Sequence, residues 1–153
     1  LKQYRVLSYD ILYLSYYLKK NRSEYYDRLN YVRTKDDYEG WVRFFVEGVI
    51  ETAKHALRCI DDLLKLRTKN LELIAKLRTK PQKTALNLFA YLEAHPIIDI
   101  VRTSTEIGKA FNTTSKAIAT FVELGILKQI DGDKRYRIYA YVDYLSILSD
   151  GTE

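Results

Sequence analysis

The hydrophobic period of this chain changes once, at Gly125, and that change restricts the fold more than any other feature. Before it, apolar residues recur every three or four positions. Residues 82–94 carry Ala85, Leu88, Phe89 and Leu92 on one helical face, ended by His95-Pro96. Thr103-Ser-Thr-Glu106 has the form of a capping box and predicts a short helix through Ile107, Ala110 and Phe111. Asn112-Thr-Thr-Ser115 reads as a turn with a fresh N-cap. Ala117, Ile118, Phe121, Val122 and Leu124 then build a further helix, closed by Gly125 as a left-handed C-cap. After Gly125 the period is two. Ile126–Ile130 is a strand, Asp131-Gly132-Asp133 a hairpin turn, and Arg135–Tyr141 the return strand, with a last short helix over Val142–Leu148. Helix, helix, turn, helix and a two-stranded wing is the order of a winged helix-turn-helix domain.

The N-terminal half predicts helices throughout. Ile11–Arg33 is rich in Tyr and Leu and holds no Gly or Pro; Asn21 and Ser23 are N-cap candidates. Thr34–Asp37 is a polar turn, with Asp36 or Asp37 capping the next helix. From Trp41, the residues Phe45, Val49, Ala53, Ala56, Ile60 and Leu63 lie on one face, and Leu71, Ile74 and Leu77 resume the rhythm. Unbroken to residue 79, such a helix would be about 60 Å long, so a break near Thr68–Asn70 is expected. Lys80–Pro81 marks the seam between a segment 1–80 and a domain 81–153. The fold class is therefore mainly α, a helical segment followed by a winged helix-turn-helix.

Charge separates the same halves. Residues 1–80 carry 17 Lys/Arg against 11 Asp/Glu, and residues 81–153 carry 8 against 9. The stretch Lys54–Lys80 alone has 8 basic and 3 acidic residues, either a solvated helix surface or a face for nucleic acid or an acidic partner. In a helix-turn-helix, the second helix offers its first residues to DNA; here these are Thr113, Thr114, Ser115 and Lys116, with Lys134 and Arg135 on the wing. They are short and sparsely cationic, so DNA binding is expected to be weak, and a protein-interaction or positioning role is the alternative. No apolar run approaches the roughly 20 residues that span a bilayer, so no membrane partner is expected. The single Cys excludes an intramolecular disulfide and a Cys-rich zinc site, which makes a cytoplasmic location the default. Cys59 reads as a small core residue with no base near it in sequence, His55 as a surface or boundary residue, and Trp41 as a core anchor. There is no Met, and the chain opens at Leu1, as expected of a fragment whose remainder lies upstream.

Leu12-Tyr-Leu-Ser15, Arg22 with Glu24-Tyr-Tyr26, Leu29, Val32-Arg33, Trp41, Phe44-Phe45 and Gly48-Val49 resemble the C-terminal part of the Fic family, which in many bacterial members continues into a winged helix. The resemblance covers residues 11–60 closely and 82–148 in architecture. It implies a parent protein that transfers AMP from ATP, with Mg²⁺, to a hydroxyl of a target protein. The family's motif H-P-F-x-x-G-N-G-R-x-x-R, which supplies the base and the phosphate cradle, does not occur: His55 is followed by Ala, and His95-Pro-Ile-Ile-Asp99 lacks the G-N-G-R. The inhibitory motif [S/T]-x-x-x-E-[G/N] is absent too. This chain is thus expected to be non-catalytic and to hold no cofactor of its own. The resemblance places Tyr26, Tyr25 and Arg33 near the nucleotide, where a Tyr ring packs on adenine; core aromatics and a solvated Arg are the alternatives. A domain without its central helix leaves the face of Phe45, Val49 and Ala53 uncovered, which points to a homo-oligomer, with the long helices as its contact. The competing function is a stand-alone winged-helix transcriptional regulator with a helical dimerisation domain.

Overall fold

The computed structural model describes residues 14–132 and 137–150. Among these residues the chain is mainly helical, with a small antiparallel sheet. The order is α1 (Leu14–Lys20), α2 (Arg22–Lys35), α3 (Tyr38–Ala75), α4 (Thr79–Ala94), β1 (Ile97–Asp99), α5 (Ile100–Glu106), α6 (Phe111–Glu123), β2 (Lys128–Asp131), β3 (Ile138–Ala140) and α7 (Val142–Ser149). The chain divides into two compact units within α3: the segment up to Asp61, joined by Ser149 and Asp150, and Asp62–Leu148.

In the first unit, Asn21 separates α1 from α2, but its amide donates back to the Tyr17 carbonyl at 3.0 Å and caps nothing. Helix α2 ends at Asp36, whose φ of 53° turns the chain. Of the two cap candidates, Asp37 takes the role: its Oδ1 accepts from the Gly40 N–H at 2.9 Å. The inward residues of α3 are Phe44 and Gly48, one position before the expected Phe45 and Val49. Gly48 sets this choice. A Cβ there would lie 2.5 Å from the Tyr17 ring, so α1 approaches α3 at a position without a side chain. Tyr17 is buried and its ring lies 5.4 Å from that of Phe44. Trp41 extends the cluster, 5.6 Å from Tyr25 and 6.1 Å from Phe44.

Helix α3 has no break at Thr68–Asn70. Thr68 Oγ1 bonds back to the Leu64 carbonyl, and Asn70 is buried with its amide donating to Tyr141 Oη at 2.6 Å. Two residues that favour turns by sequence are thus satisfied inside the helix. The helix runs 38 residues and ends at Ala75. Helix α4 begins at Thr79, so Pro81 lies in its first turn and not at a helix boundary. The first intrahelical donor is Gln82, to Arg78 at 3.0 Å, so the missing Pro81 N–H costs nothing.

The second unit closes around Leu88, Leu92, Ile118 and Phe121, with Ile74 from α3 and Tyr139 and Tyr141 from the sheet end. Helix α6 packs against α4 and α5. The sheet has three strands in the order β1-β3-β2, not the expected two. Ile98 faces Tyr139 across the β1–β3 ladder, and Gln129 faces Tyr139 across β2–β3, which carries a bulge between Gln129 and Asp131. Strand β2 starts two residues later than expected, because Ile126 and Leu127 are spent on the core.

Candidate functional site

Helix α5 is capped by Asp99, whose Oδ1 accepts from the Arg102 N–H at 2.9 Å, and not by Thr103. The capping box at Thr103–Glu106 therefore does not form, and Thr103 sits mid-helix in the core. The turn that follows is built on Gly108 (φ 62°). The Lys109 N–H reaches the Ser104 carbonyl at 3.0 Å and the Gly108 N–H reaches Thr105 at 3.2 Å, the paired bonds of a Schellman turn. Gly125 (φ 73°) repeats the device after α6, with Ile126 N–H on the Phe121 carbonyl at 2.8 Å and Gly125 N–H on Val122 at 3.0 Å. The expected left-handed cap at Gly125 is therefore present. The turn between the two helices lies at 107–110, earlier than the expected 112–115.

That shift decides the fate of the four helix residues. Thr113 and Lys116 are exposed on the first two turns of α6, and Ser115 is half-buried. Thr114 is fully buried, and its hydroxyl donates to the Ala110 carbonyl at 3.3 Å, so it cannot reach a ligand. Of the cations expected on a wing, Lys128 is exposed on β2; Lys134 and Arg135 lie outside the described residues.

Helix α2 separates the two tyrosines. Tyr25 is half-buried between the rings of Tyr26 and Trp41, at 5.2 and 5.6 Å. Tyr26 is 55% exposed, with the Arg22 guanidinium 5.6 Å from its ring centre. Arg22, Tyr26, Leu29 and Arg33 recur at steps of four, three and four, all exposed, on one face of the helix. Tyr26 and Arg33 thus share an exposed face two turns apart, while Tyr25 packs against Trp41. The Arg22 contribution was readable from its spacing of four to Tyr26.

Two further constellations were not anticipated. Cys59 Sγ lies 3.6 Å from His55 Nδ1, and His55 Nε2 lies 3.6 Å from Asp150 Oδ2. The expectation that Cys59 has no base near it is corrected: a spacing of four on α3 brings the imidazole beside the thiol, where it can take the thiol's proton. In the second unit, a cavity of about 680 Å³ lies between the end of α4, β1, α5 and Arg137. Its apolar walls include Ile97, Val101 and Phe111; Arg102 and Arg137 bring positive charge, and His95 stacks on Tyr91 at 4.4 Å. Thr103 also lines it. Its hydroxyl is buried and has no hydrogen-bond partner among the described residues. The size and lining suit a small organic molecule.

Among the described residues, no group of three or more His, Cys, Asp or Glu side chains is placed to hold a metal ion. No helix among them is long and apolar enough to cross a membrane. The sequence matches no model of a known protein family, and no curated protein matches it.

Proposed function

We propose that this chain is the non-catalytic C-terminal part of a Fic-type protein whose complete form transfers AMP from ATP to a protein hydroxyl. The first unit supplies one wall of the nucleotide pocket, and the second is a winged helix-turn-helix for targeting or regulation. The observation that carries the reading is the exposed α2 face of Arg22, Tyr26, Leu29 and Arg33, which falls inside the R-x-x-Y-Y-x-x-L resemblance. An aromatic ring between two guanidinium groups fits adenine and phosphate together. Tyr26 would pack on the base, while Arg22 and Arg33 would hold phosphate oxygens. The parent's ATP and Mg²⁺ would be met by this wall and by the absent H-P-F-x-x-G-N-G-R segment. The element order from α4 to β3, with β1 pairing the return strand, supports the winged-helix assignment.

The test has two arms. The coding sequence just upstream of Leu1 is expected to specify H-P-F-x-x-G-N-G-R. The chain incubated with labelled ATP, Mg²⁺ and lysate is expected to transfer no label. Robust labelling that depends on this chain alone would overturn the assignment.

The alternative, a stand-alone winged-helix regulator, draws on the exposed Thr113 and Lys116 at the start of α6, with Lys109 exposed in the preceding turn. These groups can contact phosphates and make few bidentate contacts with bases. Tight, sequence-specific binding to duplex DNA at moderate salt would favour it.

A further inference from the structure

Helix α3 turns one apolar face away from its own unit. Val42, Phe45, Val46, Ile50, Leu57 and Ile60 follow helical spacing along this face and are 40–66% exposed. Ala53 stands at the middle of the stripe and is half-buried. The opposite side of the helix holds Phe44 and Gly48 against Tyr17. An exposed apolar surface extending over five helical turns is an interaction surface.

The charges beside the stripe identify what covers it. Arg43, Glu47, Lys54, Arg58 and Asp61 all fall along one edge, whereas the other edge carries the uncharged Thr52 and Cys59. A parallel two-fold pair sets the charged edge of one helix against the uncharged edge of the other. An antiparallel two-fold pair sets the charged edge against itself. Read in opposite directions, that edge is complementary: Glu47 meets the second copy's Arg58, twice by symmetry, while Arg43 keeps its ion pair with Glu39 at 2.9 Å on its own helix. The same register sets Phe45 against Ile60 and Val49 against Ala56, and it leaves the small Ala53 beside the axis, where two helices approach most closely.

We propose that this face of α3 is an isologous interface between two copies of the chain, with the two α3 helices antiparallel and the two-fold axis next to Ala53. Apolar residues supply the affinity, and the charged edge sets direction and register.

The full chain is tested by sedimentation equilibrium over a concentration series. The wild type is expected to be a dimer. Leu57→Glu, at an exposed position, is expected to keep the helical circular dichroism of the wild type, to sediment as a monomer and to lose the rise of Tm with concentration that a dimer shows. Glu47→Arg and Arg58→Glu are each expected to weaken the dimer about tenfold, and the double exchange to restore it. In a Cys59→Ser background, Phe45→Cys and Ile60→Cys are expected to form a disulfide when mixed and none when alone. A concentration-independent monomer, self-linking of Phe45→Cys, or a double exchange that fails to rescue would overturn the proposal.

Discussion

Thr103 carries the least satisfied group in the described structure: 1% exposed, with a hydroxyl that has no partner. Its neighbour Ser104 bonds back to the Val101 carbonyl at 2.7 Å. An unpaired buried hydroxyl costs about 1–3 kcal/mol. Thr103→Val keeps the shape and removes the group, so it is expected to raise stability by about 1 kcal/mol, read as a higher urea midpoint at unchanged slope. A lower midpoint would show that the hydroxyl is satisfied in solution. Tyr141 is the opposite case. Its phenol receives the Asn70 amide proton at 2.6 Å, and burial pushes its pKa up to about 12, the Asn70 bond pulling the other way. Raised above the unfolded value near 10, this group's contribution is complete below about pH 10. It is lost as pH climbs through the folded value near 12. Tyrosinate absorbance is expected to show a phenol titrating near pH 12 that is absent in Tyr141→Phe. That variant leaves the Asn70 donor unmatched and should cost about 1–3 kcal/mol.

At the scale of elements, glycines fix the turns that the helical spacing leaves open. Gly125 joins α6 to the sheet at φ 73°, with nothing within 4 Å of an added Cβ. Gly125→Ala therefore meets only the backbone penalty of the left-handed region, about 1 kcal/mol by thermal unfolding. A destabilisation much larger than that would contradict the open space around it. Helix α4 and the core residues Ala85, Leu88, Phe89 and Leu92 were legible because four apolar residues at one spacing leave a single solution. The start of α5 was not: Thr103 and Glu106 make a better capping signal than Asp99, yet Ile97–Asp99 pair with β3, a partner distant in sequence, and the helix starts directly after them. Strand β1 is only three residues long and takes its structure wholly from that pairing. The inward face of α3 was off by one residue for a related reason. Both Phe44 and Phe45 suit a core, and only the approach of Tyr17 at Gly48 chooses between them. In the candidate site, Tyr26 and Arg33 came only from the family resemblance, and their place on one exposed face of α2 follows from the helix; Thr114 was misread because its turn was placed too late in the chain.

For the whole molecule, the distribution of charge sets which cations a nucleic acid backbone would meet. The start of α6 offers Lys116, and Lys128 stands on β2 among nearby acidic groups such as Asp131. The stretch Lys54–Lys80, by contrast, has 8 basic against 3 acidic residues, though Lys65 pairs with Asp62 and Arg67 with Glu93. Counterion release makes each neutralised phosphate visible: the slope of log affinity against log salt changes by about 0.9 for every phosphate that a cation no longer reaches. Binding to a random duplex is expected to be weak and to fall steeply with salt. The triple variant Lys116→Ala/Lys134→Ala/Arg135→Ala separates the two surfaces. If the second unit binds the phosphates, the slope is expected to fall by up to about 3. An unchanged slope would assign the binding to the basic stretch of α3 and α4 and leave the α6 face free for a protein partner.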